Sequence, residues 1–122
     1  MISALVIDDS RETADSLCQM LSLLDVDAYA AYGPRAAIVS LMERMPEVIF
    51  LDINMPGVSG FEVLAYLRRE PAYADIPTFV VTSDDQKQTI AEALHEGARE
   101  VIIKPVTFEA LESALKRIRT DK

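Results

Sequence analysis

Four short segments of this 122-residue chain carry side chains suited to chemistry: Asp8-Asp9, Asp52, Thr82-Ser83 and Lys104. Each stands at the end of an apolar run, the first after Ala4-Leu5-Val6-Ile7 and the second after Val48-Ile49-Phe50-Leu51. A carboxylate directly after such a run is costly unless it has a partner, and Asp52 is the hardest of the set to explain otherwise. Three carboxylates in one pocket repel one another. A raised pKa with a shared proton is one remedy, and a hard divalent cation is the other. Mg²⁺ suits the second, because it takes oxygen ligands in an octahedron and commonly uses one or two carboxylates plus a phosphate. Lys104 supplies a positive point charge for a phosphate oxygen, and Thr82 supplies a hydroxyl. Such a set fits phosphoryl transfer, where positioning and charge neutralisation do most of the catalysis. A carboxylate can itself be the nucleophile, giving an acyl phosphate.

To meet, these segments must sit at neighbouring strand ends. Ala4 to Ile7, Asp27 to Ala31, Glu47 to Leu51, Ile76 to Thr82 and Glu100 to Lys104 read as strands. They are continuous apolar runs more than alternating ones, as in a parallel sheet buried on both faces. Helical stripes separate them: Ala14, Leu17, Cys18, Leu21 and Leu24; Ala37, Ile38, Leu41 and Met45; Phe61, Leu64 and Leu67; Ile90, Ala93 and Leu94; Phe108, Leu111, Leu115 and Ile118. Pro34 suits a first helical position, and Pro46 stops that helix. Ser59-Gly60-Phe61-Glu62 reads as a capping box. Asp84 or Asp85 can cap the fourth helix, Gly97 closes it, and Thr107 caps the fifth. Right-handed crossovers make this (βα)5 pattern a doubly wound α/β sheet. Ligands bind such sheets at the carboxyl ends of the strands, where all four segments lie. The loop Asn54-Met55-Pro56-Gly57 carries turn residues, with Met55 expected to be partly exposed.

The formal net charge of −8 argues against a nucleic-acid surface and suits cationic or metal-ion partners. Cys18 is the only cysteine, so an intrachain disulfide is excluded and a reducing compartment fits. It reads as a packing residue, as do Met20, Met42 and Met45. No stretch approaches the ~20 apolar residues of a membrane span. Asp8, Asp9 and Arg11 interrupt the start before any long apolar run of a leader. The expectation is a cytoplasmic protein without membrane contact. His95 is expected to face solvent near a helix C-terminus.

Over nearly its whole length the chain resembles the receiver domains of two-component response regulators, of the chemotaxis-regulator type. The matching elements are Asp8-Asp9, the segment Asp52-Ile53-Asn54-Met55-Pro56-Gly57 with Gly60, the strand-end Thr82, and Gly97-Ala98 leading to Lys104-Pro105. Each alone is weak; in this order, at these strand ends, they are highly specific. The resemblance implies a flavodoxin-like sandwich with its five parallel strands in the order 2-1-3-4-5. It implies one receiver domain over 1–122, with no output domain in view. Asp52 would be the phosphoacceptor, fed by the phosphohistidine of a histidine kinase or phosphotransfer protein. Asp8, Asp9, Asp52 and the backbone carbonyl of Asn54 would hold Mg²⁺, with Mn²⁺ an alternative. Lys104 would pair with a phosphoryl oxygen, Thr82 would swing toward it, and the N–H groups of Asn54 and Ser83 would face it. Partner binding by a downstream protein or output domain, or a phosphorylation-dependent homodimer, would follow. The domain would be a regulator and not an enzyme in its own right, although it catalyses its own Mg²⁺-dependent phosphorylation and dephosphorylation. Val101 stands where many receivers carry Tyr or Phe, so the aromatic rotamer coupled to the Thr is unavailable. Val106 follows Lys104-Pro105 where an aromatic or leucine is common.

Three other readings compete. A phosphatase resembling the haloacid dehalogenases needs a second acid two positions after its nucleophile, where this chain has Asn54. A flavodoxin-like cofactor binder needs Gly and Ser/Thr donors after the first strand, where Asp8-Asp9-Ser10-Arg11-Glu12 would repel a phosphate without a metal. A degenerate scaffold would not need the full acidic set. Asn54 and Asp84, each two positions beyond a site residue, are also placed to orient an attacking water.

Overall fold

The apolar runs form strands and the stripes form helices in a computed structural model that describes residues 1–120. The order is β1 (Ile2–Ile7), α1 (Arg11–Leu23), β2 (Val26–Ala31), α2 (Pro34–Glu43) and β3 (Val48–Asp52). Then come α3 (Gly60–Arg69), β4 (Thr78–Thr82), α4 (Lys87–His95), β5 (Glu100–Ile103) and α5 (Phe108–Thr120). All strands are parallel, in the order β2-β1-β3-β4-β5. The chain builds outward from β1 to β2, then returns across β1 to begin β3. That reversal leaves a crevice at the carboxyl ends of β1 and β3.

Register fixes what lies at that crevice. Ile7 pairs with Leu51, so Asp8 follows at the level of Asp52. Asp52 pairs with Val81, and Thr82 pairs with Ile103, the residue before Lys104. Successive strand residues point to opposite faces, which divides the core in two. Leu5, Ile7, Ile49, Leu51 and Val80 pack under α2, α3 and α4 with Leu41, Leu64 and Leu67. Val6, Phe50, Phe79 and Val81 pack under α1 and α5 with Leu17, Leu21, Leu111 and Leu115. Phe50 and Phe79 stack with ring centroids 5.4 Å apart. Each fully buried side chain of this size contributes about 1.5–3 kcal/mol.

Helix ends follow local chemistry, with some differences from expectation. Ser10 caps α1 by accepting from the Thr13 N–H, Thr107 accepts from the Ala110 N–H, and Gly97 takes φ +107°. Ser59 caps α3, but its hydroxyl takes the Phe61 N–H, while Glu62 gives its N–H to the Ser59 carbonyl. Gln86, not Asp84 or Asp85, is the N-cap of α4, and it makes no side-chain cap bond. The Asp84 carboxylate instead accepts from the Gln86 N–H at 3.0 Å and the Thr89 hydroxyl at 2.8 Å. This Asx turn competes with the helix for the same carboxylate. Ala37 and Leu41 alone supply the buried face of α2; Ile38 lies at its margin, while Met45 lies beyond the helix, and both are exposed, as is Met42. Leu94 and Phe108 are likewise exposed, because short helices over a sheet bury only a narrow stripe. Met55 is buried rather than partly exposed, because the loop folds back onto the α3 side of the core. His95 faces solvent as expected.

Candidate functional site

The three carboxylates converge. Asp8 and Asp52 are buried and Asp9 is exposed, yet each offers an oxygen within 4.8 Å of the others. The Lys104 ammonium stands beside them, with Nζ 3.4 Å from Asp8 Oδ2 and 3.8 Å from Asp52 Oδ1. The Lys104–Pro105 peptide bond is cis. Backbone N–H groups hold both buried acids in place. Ser10 N–H donates to Asp8 Oδ1 at 3.0 Å, and Asn54 N–H donates to Asp52 Oδ1 at 3.1 Å. Both contacts span two residues, as an Asp side chain does when it folds over the following turn. Sequence reading missed the part played by Ser10, although Asp-Asp-Ser after a strand carries that turn signal.

Gly60 lets α3 begin hard against this loop. A Cβ there would lie 2.2 Å from Ile53 Cα and 2.6 Å from the Asp52 carbonyl oxygen. Gly60 N–H also donates to the Ile53 carbonyl at 3.0 Å. The residue after the acid is thus pinned by a close backbone approach that only glycine permits.

Burial raises the Asp52 pKa above its ordinary 3.8; the Asn54 N–H opposes that rise, the Asp8 charge adds to it, and Lys104 opposes it. Three acids face one ammonium here. Oxygen ligands this close, with excess negative charge, fit a divalent cation of the hard type.

Thr82 is fully buried at the end of β4. Its hydroxyl accepts from Asn54 Nδ2 at 2.9 Å and from the Asp84 N–H at 3.0 Å. In this state the Asn54 amide is engaged by Thr82, and the Asp84 carboxylate by the Gln86 N–H and the Thr89 hydroxyl. Asn54 touches both key positions, Asp52 with its backbone and Thr82 with its side chain. Ser83 lines the same cavity as Asp8, Asp52 and Lys104. That cavity, of about 540 Å³, runs from the acids along α1 past Leu17 and Met20 to Val106.

A (βα)5 parallel sheet with an acidic cluster and a lysine at its switch point defines the class of small α/β phosphorylation switches. The chain belongs to the response regulator receiver domain family, whose pattern matches residues 4–116. It is 30% identical over 111 residues to protein PilH of Pseudomonas aeruginosa, covering 91% of this chain and 92% of PilH. It is 27% identical over 114 residues to the phosphate regulon transcriptional regulatory protein PhoB of the same organism, covering 93% of this chain. The chain spans about half the length of PhoB, 50% of it. In structure it is similar to the signal receiver domain of a DNA-binding response regulator from Colwellia psychrerythraea, with TM-score 0.91, 30% identity, and 98% and 99% of the two chains covered. Family membership implies interaction with histidine kinases or phosphotransfer proteins. Among the described residues no helix is long and apolar enough to cross a membrane.

Proposed function

We propose that Asp52 accepts a phosphoryl group from a partner's phosphohistidine, and that the resulting aspartyl phosphate repositions Thr82 and the surface beyond it. The observation that carries this is the convergence of Asp8, Asp9 and Asp52 within 4.8 Å, with Lys104 Nζ 3.8 Å from Asp52. Asp8, Asp9, Asp52 and the Asn54 carbonyl would hold Mg²⁺. When bound, the ion neutralises charge on the acids and on the incoming phosphoryl oxygens.

The chain's own residues do the rest. An ionised Asp52 oxygen attacks phosphorus, the N–P bond of the phosphohistidine breaks, and the electron pair returns to the imidazole. Lys104 carries its charge to the transferred oxygens, where charge spreads in the transition state. The Ser83 N–H faces the same group. Thr82 must give up the Asn54 amide before its hydroxyl can reach the phosphoryl oxygens. Asn54 thereby favours the resting arrangement, and the phosphoryl group must offset that preference. With Val101 in place of an aromatic, the movement passes through the β4–α4 loop, where the Asp84 turn meets Thr89. The output is a changed α4–β5–α5 surface for a downstream protein, an output domain or a second copy. The domain works in the cytoplasm as a regulator that catalyses its own phosphorylation and dephosphorylation, without a small-molecule substrate to turn over.

Phosphoramidate with and without Mg²⁺, read by intact mass, tests this. The wild type should gain one phosphoryl group only with the ion, and Asp52→Asn should gain none. Lys104→Met should slow the gain about 100-fold. Equal labelling of Asp52→Asn would sink the assignment.

A further inference from the structure

The helix α2 carries more apolar surface outward than inward. Ile38, Val39, Met42 and the following Met45 are 39%, 50%, 76% and 51% exposed, whereas Ala37 and Leu41 are buried. At 3.6 residues per turn, Arg35, Ile38, Val39 and Met42 share one face, with Glu43 at its margin. Val39 points directly away from the midpoint of Ala37 and Leu41, and Ile38 lies at the margin of that buried side. Arg35 and Glu43 are both exposed, and among the described residues neither has an ion-pair partner. Neighbouring Arg44 is engaged with Asp27 and the Tyr29 ring.

The charges at the two ends of this face are opposite and lie eight residues apart, about 12 Å along the axis. Val39 stands midway between them. A twofold axis at Val39 is therefore self-complementary: it sets Arg35 of each copy against Glu43 of the other. Ile38 and Met42 then flank the centre. We propose that α2 is a self-association surface on which two copies of this chain pair antiparallel in that register. A cleft of about 290 Å³ between α2 and α3, lined by Pro34, Arg35, Ile38 and Val63, gives Met42 of the second copy a recess. Methionine, unbranched and adaptable, suits such a seat.

This pairing is separate from the phosphorylation switch. The helix α2 follows β2, at the opposite edge of the sheet from β4 and β5. The resting and phosphorylated forms should therefore pair equally well. A single ten-residue helix buries area at the low end for a specific contact, so the dimer is weak and concentration-dependent.

Sedimentation equilibrium of the whole chain at low salt, up to about 1 mM, tests it. The wild type should show a monomer–dimer equilibrium with the same Kd with and without beryllofluoride and Mg²⁺. Val39→Asp should abolish it. Arg35→Glu and Glu43→Arg should each weaken it about tenfold by setting like charges together twice per dimer. The double variant should restore it, which also shows that the single variants fold. A wild type that stays monomeric throughout overturns the proposal. So does a dimer indifferent to these four variants, or one that forms only with beryllofluoride.

Discussion

Asp52 is stabilised for chemistry and not for folding. Its carboxylate is buried with two other acids nearby, and burial first of all lifts its pKa above 3.8. A carboxyl with a raised folded pKa opposes folding when ionised, so the domain without metal is least stable above that pKa. Stability returns as the pH falls through the raised folded value toward 3.8, the unfolded one. Asp52→Asn should therefore stabilise the metal-free protein by on the order of 1 kcal/mol at pH 7, read by urea unfolding in EDTA. A destabilised variant would contradict the charge argument. Asn54→Ala removes one of two donors from the Thr82 hydroxyl. A hydrogen bond of this kind is worth about 1 kcal/mol, roughly a fivefold change in a population ratio. The Thr82 methyl resonance should then move part-way toward its phosphorylated position before any phosphoryl group is added. An unmoved resonance would show that Asn54 does not hold Thr82 back.

At the scale of elements, the start of α3 is the most constrained joint. Gly60→Ala forces Ile53 and the Asp52 carbonyl apart from the helix, at a cost of about 2–4 kcal/mol. Thermal unfolding should show that loss, and phosphorylation should slow as Asp52 shifts; an unchanged rate would mean that the loop relaxes elsewhere. The glycine at this joint was legible in advance, in the motif after Asp52, though not its close approach to Ile53. So were the strands, whose continuous apolar runs admit little else, and the convergence of Asp8, Asp9, Asp52 and Lys104, which strand ends alone dictate. Other features were not legible, each for a physical reason. A carboxylate beside a helix start can cap it or fold a turn, and only the backbone path decided that Asp84 does the latter. Ile38 and Met45 match a helical period, but α2 rests on one edge of the sheet and needs only Ala37 and Leu41 to cover it. Contacts between distant loops, such as Asn54 with Thr82, leave no periodic trace.

The whole molecule joins two apolar layers through one sheet and concentrates its unfavourable charge at one rim. A divalent cation at that rim should therefore stabilise the entire domain and not just a loop. At a hundredfold excess over its Kd, Mg²⁺ should add about 2.7 kcal/mol, visible as a rise in Tm over the EDTA-treated protein. Asp9→Asn should shrink that rise; an equal rise in the variant would place the ion elsewhere. The strand order has a further consequence, in time. β1, β2 and β3 are neighbours in the sheet and are all contained in the first 52 residues, so the ribosome releases them as a block. Asp8, Asp9 and Asp52 belong to that block, whereas Lys104 arrives a further 52 residues later, after β5. The nascent chain thus carries all three acids before their counter-charge is added. A cation from solution would relieve the three acids over that interval, a use for the site that precedes any phosphoryl group.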